Sequence, residues 1–273
     1  SFQISWSMHS SIHHNRRAWD DRVHRKDWYI DTATESDFKD PWAVLDPCGW
    51  LERDWAGQQV LCLAAGGGRH GVLFASLGAR VTVVDLSPAM LALDQKLATE
   101  RGLNVHLIES SMDNLSALGA STFDLVFQPV STCYVPDIAP VYREVARVTR
   151  PGALYISQHK QPLNLQAGST PTAHGYTVGE PYHRSGPLPP APQASWHRES
   201  GTVEFLHRWD QLLGGLCTAG FVIENVAEPR HGDPLATPGS FAHRSAYVPP
   251  YIRLKARRTS APPEKTAPQL WVP

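Results

Sequence analysis

Three glycines and one aspartate carry the densest chemical signal in this sequence. Gly66, Gly68 and Gly71 have the spacing G-x-G-x-x-G, inside a run of five Ala and Gly residues, 64–68, that holds almost no side-chain atoms. Glycine reaches positive φ without penalty, and a backbone lacking Cβ lets a ligand lie directly against its peptide groups. Asp85 follows 17 residues after Gly68. Bare amides and a helix N-terminus at one end, with a carboxylate for a sugar diol at the other, suit a nucleotide-like ligand. A second chemistry, proton removal, calls for histidine, which titrates near working pH. His159, and His243 in the last loop, are the candidates. Each has a competing reading as a histidine hydrogen-bonded within a loop. The phenol of Tyr134 could hydrogen-bond or stack a substrate, or pack as a loop aromatic.

The elements that must position these groups can be read in order. Residues 60–63 form a short apolar run, long enough for a buried strand. A helix over 69–77 follows the glycines, with Gly78 as its stop. Residues 81–84 form a second buried strand, β-branched and apolar. Asp85 then falls at a strand's carboxyl end, where open α/β sheets bind ligands. Ser87-Pro88 predicts a helix start, and that helix runs to Arg101 and closes at Gly102. Met90 in its first turn faces either the core or the ligand. Residues 105–108 and 122–126 give strands three and four. A helix capped by Asp137 shows Val141, Val145 and Val148 on one face. Arg150-Pro151-Gly152 reads as a turn before a fifth strand over 153–157, and 201–208 resumes a strand-like alternation. A helix over 210–219 and strands over 221–226 and 251–256 complete the pattern. The glycine spacing by itself is the dinucleotide fingerprint, so a nicotinamide oxidoreductase stays open at this point.

The wider stretch, VLCLAAGGGRHGVLFASLGARVTVVDLS, resembles the first motif of class I S-adenosylmethionine-dependent methyltransferases of the small-molecule type. EVARVTRPGALYIS and LLGGLCTAGFVIENV resemble the segments after that family's fourth strand and at its last helix and strand. The resemblance implies S-adenosylmethionine as cofactor and a methyl acceptor as partner. Gly66 and Gly68 become the close-approach glycines beside Ala64 and Ala65, and Asp85, with Leu86 next to it, the ribose acid. Ser111 falls where the family often has an aspartate for the adenine amino group, with the Met112 amide and Asp113 as alternatives. The backbone of Gln128 and Pro129 touches the cofactor, and Tyr134 stands at the mouth of the substrate pocket. Two positions depart from the pattern. Cys62 stands where the family has an acid that orders the loop, and Ala64 replaces the first glycine.

The implied fold is an α/β, Rossmann-like, seven-stranded, mostly parallel sheet with an antiparallel seventh strand, an N-terminal helical lid and an insertion after strand five. Residues 1–14 read as a flexible extension, 15–257 as the methyltransferase domain and 258–273 as a tail. Within the domain, 15–55 is an amphipathic helical lid and connector whose aromatics, Tyr29 among them, either close over the site or dock the helix. The insertion, 158–200, is rich in Pro and Gly and carries Tyr182; it is either a substrate lid or a dimer arm. Tyr29, Tyr134, His159, Tyr182 and His243 are the candidate substrate contacts, and His159 and Tyr134 the catalytic candidates.

Composition narrows the partners. A net charge of −1 lacks the basic footprint that nucleic acid requires. No apolar run approaches the roughly 18 residues of a membrane helix. Four cysteines without a C-x-x-C pair, and an N-terminus without the apolar segment of a signal peptide, set the expectation of reduced thiols and a cytoplasmic protein. No histidine or cysteine spacing of a metal site and no G-x-S-x-G elbow is present. The expectation is a methyltransferase, monomer or homodimer, that methylates nitrogen, oxygen or sulfur of a small polar or heteroaromatic metabolite. A non-catalytic module that binds the same cofactor is the other alternative.

Overall fold

The computed structural model describes residues 8–26, 30–191 and 197–259. Its centre is a sheet of seven strands. They are β1 (Gln59–Leu63), β2 (Arg80–Asp85), β3 (Val105–Glu109), β4 (Phe123–Gln128), β5 (Thr149–Lys160), β8 (Phe221–Ala227) and β9 (Tyr251–Arg258). The insertion adds a separate hairpin of β6 (Ala167–Thr172) and β7 (Gly175–Val178). The sheet order is β3-β2-β1-β4-β5-β9-β8. β1 to β5 run parallel, and β9 pairs antiparallel with both β5 and β8.

The helices are α1 (Met8–Arg25), α2 (Glu35–Lys39), α3 (Pro41–Leu45), α4 (His70–Ser76), α5 (Pro88–Arg101), α6 (Ala139–Val148), α7 (Pro162–Gln166), α8 (Gly215–Thr218) and α9 (Phe241–Ser245). None of the described helices is long and apolar enough to cross a membrane. Successive residues of β1 bury on opposite faces, as the period of two requires. Val60 and Cys62 join Val72, Phe74, Leu91, Leu45 and Trp55 on one side. Leu61 and Leu63 join Val141, Val145, Tyr155 and Leu216 on the other. A central strand covered by helices on both faces has no polar alternation to show, which is why β1 reads as one apolar run. α5 starts and stops as its sequence dictates: the Ser87 hydroxyl accepts from the Met90 amide, Pro88 opens the first turn, and Gly102 closes it at φ +64°.

Four expectations are corrected. Arg150-Pro151-Gly152 is a bulge inside β5, where the register jumps from Phe123↔Thr149 to Leu125↔Leu154 with Gly152 at φ +81°. Residues 201–208 form no strand. Their backbone groups bond to other partners: Val203 N to Asn15 Oδ1 (2.7 Å), Phe205 N to the Cys133 carbonyl (2.7 Å), and the Glu204 carbonyl from Leu188 N (2.8 Å). The N-terminal helix begins at Met8, so residues 8–14 belong to it, and Ser11 within it is fully buried. The seventh strand extends to Arg258, one residue beyond the assigned domain end.

Candidate active site

A cavity of about 710 Å³ opens at the carboxyl ends of the parallel strands. Its floor is the turn after β1. Ala64 sits at φ +48°, a left-handed conformation that a side chain resists, and Gly67 and Gly68 follow at φ +119° and +70°. A Cβ on Gly66 would lie 2.9 Å from the Asp85 carboxylate and from Met90 Cβ. That position is glycine because Asp85 packs directly on it.

The amides of this turn are not bare. Gly66 N donates to Asp85 Oδ2 (2.8 Å), and Gly67 N to Asp94 Oδ2 (2.8 Å). Asp85 Oδ1 also accepts from Ser87 N (2.9 Å). Two carboxylates therefore occupy the donors that a pyrophosphate would need, and their charge opposes an anion there. The site fits a cationic or neutral ligand with a ribose and no phosphate. S-adenosylmethionine, with its sulfonium and ammonium, meets that condition; Asp85 would hold the ribose and Ser111 and Met112 would border the adenine.

Asp94 was invisible in the sequence. It is fully buried on α5, against the Cys62 strand, and supplies the loop-ordering carboxylate that Cys62 does not. Burial pushes its carboxyl up to about 7 against the pull of the Gly68 and Gly67 amides. A folded-state pKa above the unfolded 3.8 means the folded chain holds an extra proton between the two. Stability from this group is full below the unfolded value and is lost as pH rises through about 7. Asp94→Asn keeps an acceptor for Gly67 and removes that loss. Melting temperatures of the two proteins should diverge, in favour of the variant, between pH 5 and pH 8; parallel curves would show that Asp94 does not titrate there.

Ala64, Ala65, Gly66, Asp85, Leu86, Ser111, Met112, Gln128, Pro129 and Tyr134 all line the cavity. Gln128 is pinned by Tyr155, whose hydroxyl donates to Oε1 (2.6 Å), and by Ser131 Oγ, which accepts from Nε2 (2.9 Å). α1 contributes Ile12, Asn15 and Trp19 to the wall. It is held by Asp20, which accepts from Ser87 Oγ (2.5 Å) and Ala89 N (3.2 Å) at the start of α5, and by an Arg16–Glu109 ion pair (2.6 Å). His70 also lines the cavity, its ring centroid 5.1 Å from that of Phe127. Burial and Arg69 push it down to about 4, so it is neutral at pH 7.

Other candidates lie elsewhere. His159 is fully buried outside the cavity, between Thr132 Oγ1 (2.8 Å at Nδ1) and Ser157 Oγ (2.8 Å at Nε2). β5 runs three residues past its expected end, so this side chain sits in the sheet opposite Ile252 instead of in a loop. Burial, then His207, pushes it down to about 3. It is a core histidine, not a base at the cavity. His243 Nδ1 bonds the Tyr176 hydroxyl (2.7 Å), where α9 packs on the hairpin. The Tyr182 hydroxyl accepts from Trp209 N (3.0 Å). Neither lines the cavity, because the insertion folds against α9 and the segment before α8. Of its described residues only Gln158 reaches the wall. Gly68 also falls outside the lining; a Cβ there would meet the Leu93 carbonyl oxygen at 3.0 Å, so it is a packing glycine against α5. Tyr29 lies outside the described residues.

Tyr134 is buried at the cavity wall, edge-on to Trp19 with centroids 5.6 Å apart. Its hydroxyl bonds the Glu199 carboxylate. Burial, reinforced by Glu199, pushes the phenol far up, so it stays protonated and donates. Glu199 in turn belongs to a buried cluster: Lys160 Nζ lies 2.5 Å from Glu199 Oε2 and 2.6 Å from Glu204 Oε1, and Arg198 Nε 2.6 Å from Glu204 Oε2.

Comparison with known proteins agrees with this geometry. The family described as "Methyltransferase domain" matches residues 61–157. The uncharacterized methyltransferase YbaJ of Bacillus subtilis is 30% identical over 241 residues, covering 82% of this chain and 93% of that protein. A ubiquinone biosynthesis O-methyltransferase of Xanthomonas axonopodis pv. citri is 32% identical over 158 residues, 54% of this chain and 63% of that enzyme. Among solved structures, an S-adenosylmethionine-dependent methyltransferase from Mesorhizobium loti superposes with a TM-score of 0.63 at 24% identity, covering 80% of this chain and 97% of its own. These likenesses set aside the nicotinamide and non-catalytic alternatives. With a seven-stranded sheet of this order and a phosphate-averse glycine turn, the chain belongs to the class I S-adenosylmethionine-dependent methyltransferases.

Proposed function

We propose that this enzyme methylates a nitrogen, oxygen or sulfur atom of a small polar or heteroaromatic metabolite, and that Tyr134 contacts the acceptor. The cofactor, when bound, supplies a sulfonium methyl already activated for attack by an aligned nucleophile. The chain's part is then to bind, orient and exclude water. Proximity and orientation can lower a barrier by roughly 7–11 kcal/mol. The placement of Tyr134 carries this reading: it lines the cavity edge-on to Trp19 of α1, and its hydroxyl bonds Glu199. A phenol that donates to Glu199 keeps oxygen lone pairs free to accept from an acceptor's O–H or N–H. The walled cavity and near-zero net charge support a small molecule over a nucleic acid. The relative named for O-methylation supports a heteroatom acceptor.

The test is labelled-methyl transfer to a panel of small O, N and S nucleophiles. Tyr134→Phe keeps the ring and removes the hydroxyl. It should lower kcat by about 10- to 100-fold, the scale of one lost hydrogen bond with its buried partner left unpaired. The dissociation constant for S-adenosylmethionine should stay the same. An unchanged kcat would remove Tyr134 from the acceptor site.

A further inference from the structure

Two arginines line the cavity, Arg69 and Arg253. Arg69 is neutralised by Asp31 and Asp37. Arg253, half-buried on β9, is not. Its Nε donates to Gln158 Oε1 (2.6 Å), and its NH1 group points at Cys48 Sγ (3.8 Å). Neither partner is a carboxylate, and among the described residues the guanidinium forms no ion pair. Of the other cations on the same strand, Lys255 and Arg257 share Glu224, and Arg258 donates to the Ala146 and Gly220 backbone carbonyls outside the cavity. A guanidinium drawn partly out of water without an opposing charge is costly, and its remaining N–H groups form a planar fork suited to two oxygens.

The fold places this fork away from the ribose end. Asp85 is on β2, and the sheet runs β2-β1-β4-β5-β9 to reach Arg253. At the ordinary strand spacing that separation is roughly 19 Å. Arg253 is held in register opposite Gln158, and Tyr134, Tyr251 and Trp50 also line the cavity.

We infer that Arg253 is the anion-recognising group of the acceptor site, so the methyl acceptor carries a carboxylate or a phosphate. This rests on the acceptor cavity proposed above. The guanidinium takes the anionic oxygens in a bidentate pair, Gln158 fixes its plane, and the aromatic wall takes the rest of the molecule.

The full-length protein, saturated with S-adenosylhomocysteine, is titrated with benzoate, phenyl phosphate and the neutral benzamide. At least one anion should bind about tenfold or more tighter than benzamide, the scale of a charge-assisted pair. Preference for benzoate assigns a carboxylate and preference for phenyl phosphate a phosphate. Arg253→Met and Arg253→Gln should erase the preference, and Arg253→Lys should keep part of it. Affinity for S-adenosylhomocysteine should stay within about twofold throughout. The inference is overturned if neither anion outbinds benzamide, or if the preference survives in Arg253→Met. It is also overturned if Arg253→Met weakens S-adenosylhomocysteine by about tenfold, since the guanidinium would then hold the cofactor's own carboxylate. Failure to methylate any heteroatom nucleophile would refute the proposed reaction and leave these probe affinities untouched.

Discussion

Asp85→Ala is expected to weaken S-adenosylmethionine binding by roughly ten- to more than a hundredfold, about 1.5–3 kcal/mol for a lost charged hydrogen bond. The aspartate has two structural partners as well as the ribose proposed for it. It accepts from Gly66 N, which sets the turn after β1, and from Ser87 N, at the entrance of α5. Alanine frees both donors and removes the bulk that packs on Gly66. Asparagine retains an acceptor for Gly66 and should restore the turn more than the affinity. Calorimetry with each variant, beside a melting curve, separates the two effects. An unchanged dissociation constant in Asp85→Ala would show that another group holds the ribose.

Lys160→Met is expected to destabilise the fold by about 3–5 kcal/mol, the cost of leaving a buried carboxylate without its counter-charge. The ammonium is almost completely enclosed and serves both Glu199 and Glu204. Burial pushes both carboxyls up. At Glu199 the Lys160 charge and hydrogen bond, with the Tyr134 hydroxyl, overcome that and hold it low. At Glu204 burial wins and the carboxyl stays high. Urea unfolding should show the loss, and Lys160→Met combined with Glu199→Gln and Glu204→Gln should recover much of it. The single variant should also loosen Tyr134 and α1. A loss under about 1 kcal/mol would mean that the cluster does not hold a net buried anion.

The glycine turn, Asp85 and the Ser87-Pro88 start were legible because each is local: a strand, a bend and a cap written within a few residues. The alternation Val203, Phe205 looked like a strand because period two is all that sequence can show. Its backbone partners, Asn15 and Cys133, lie far away in the chain. His159 misled for a related reason, since where β5 ends is decided by pairing with β9 and not by its own residues. Asp94 gave no signal, because an aspartate in mid-helix reads as solvated until a loop is found packed against it. The aromatics of α1 left open whether it closes over the site or docks onto the core. Its anchorage by Asp20 on α5 depends on tertiary approach and could not be read.

Ala64 sits in a conformation that its own side chain opposes. Its φ of +48° is uphill by about 1–2 kcal/mol for any residue with a Cβ. An alanine held there has fewer ways to wander than the glycine it stands in for. A strained residue persists only where its surroundings over-determine it, so the fold packed around Ala64 fixes the turn at the floor of the pocket.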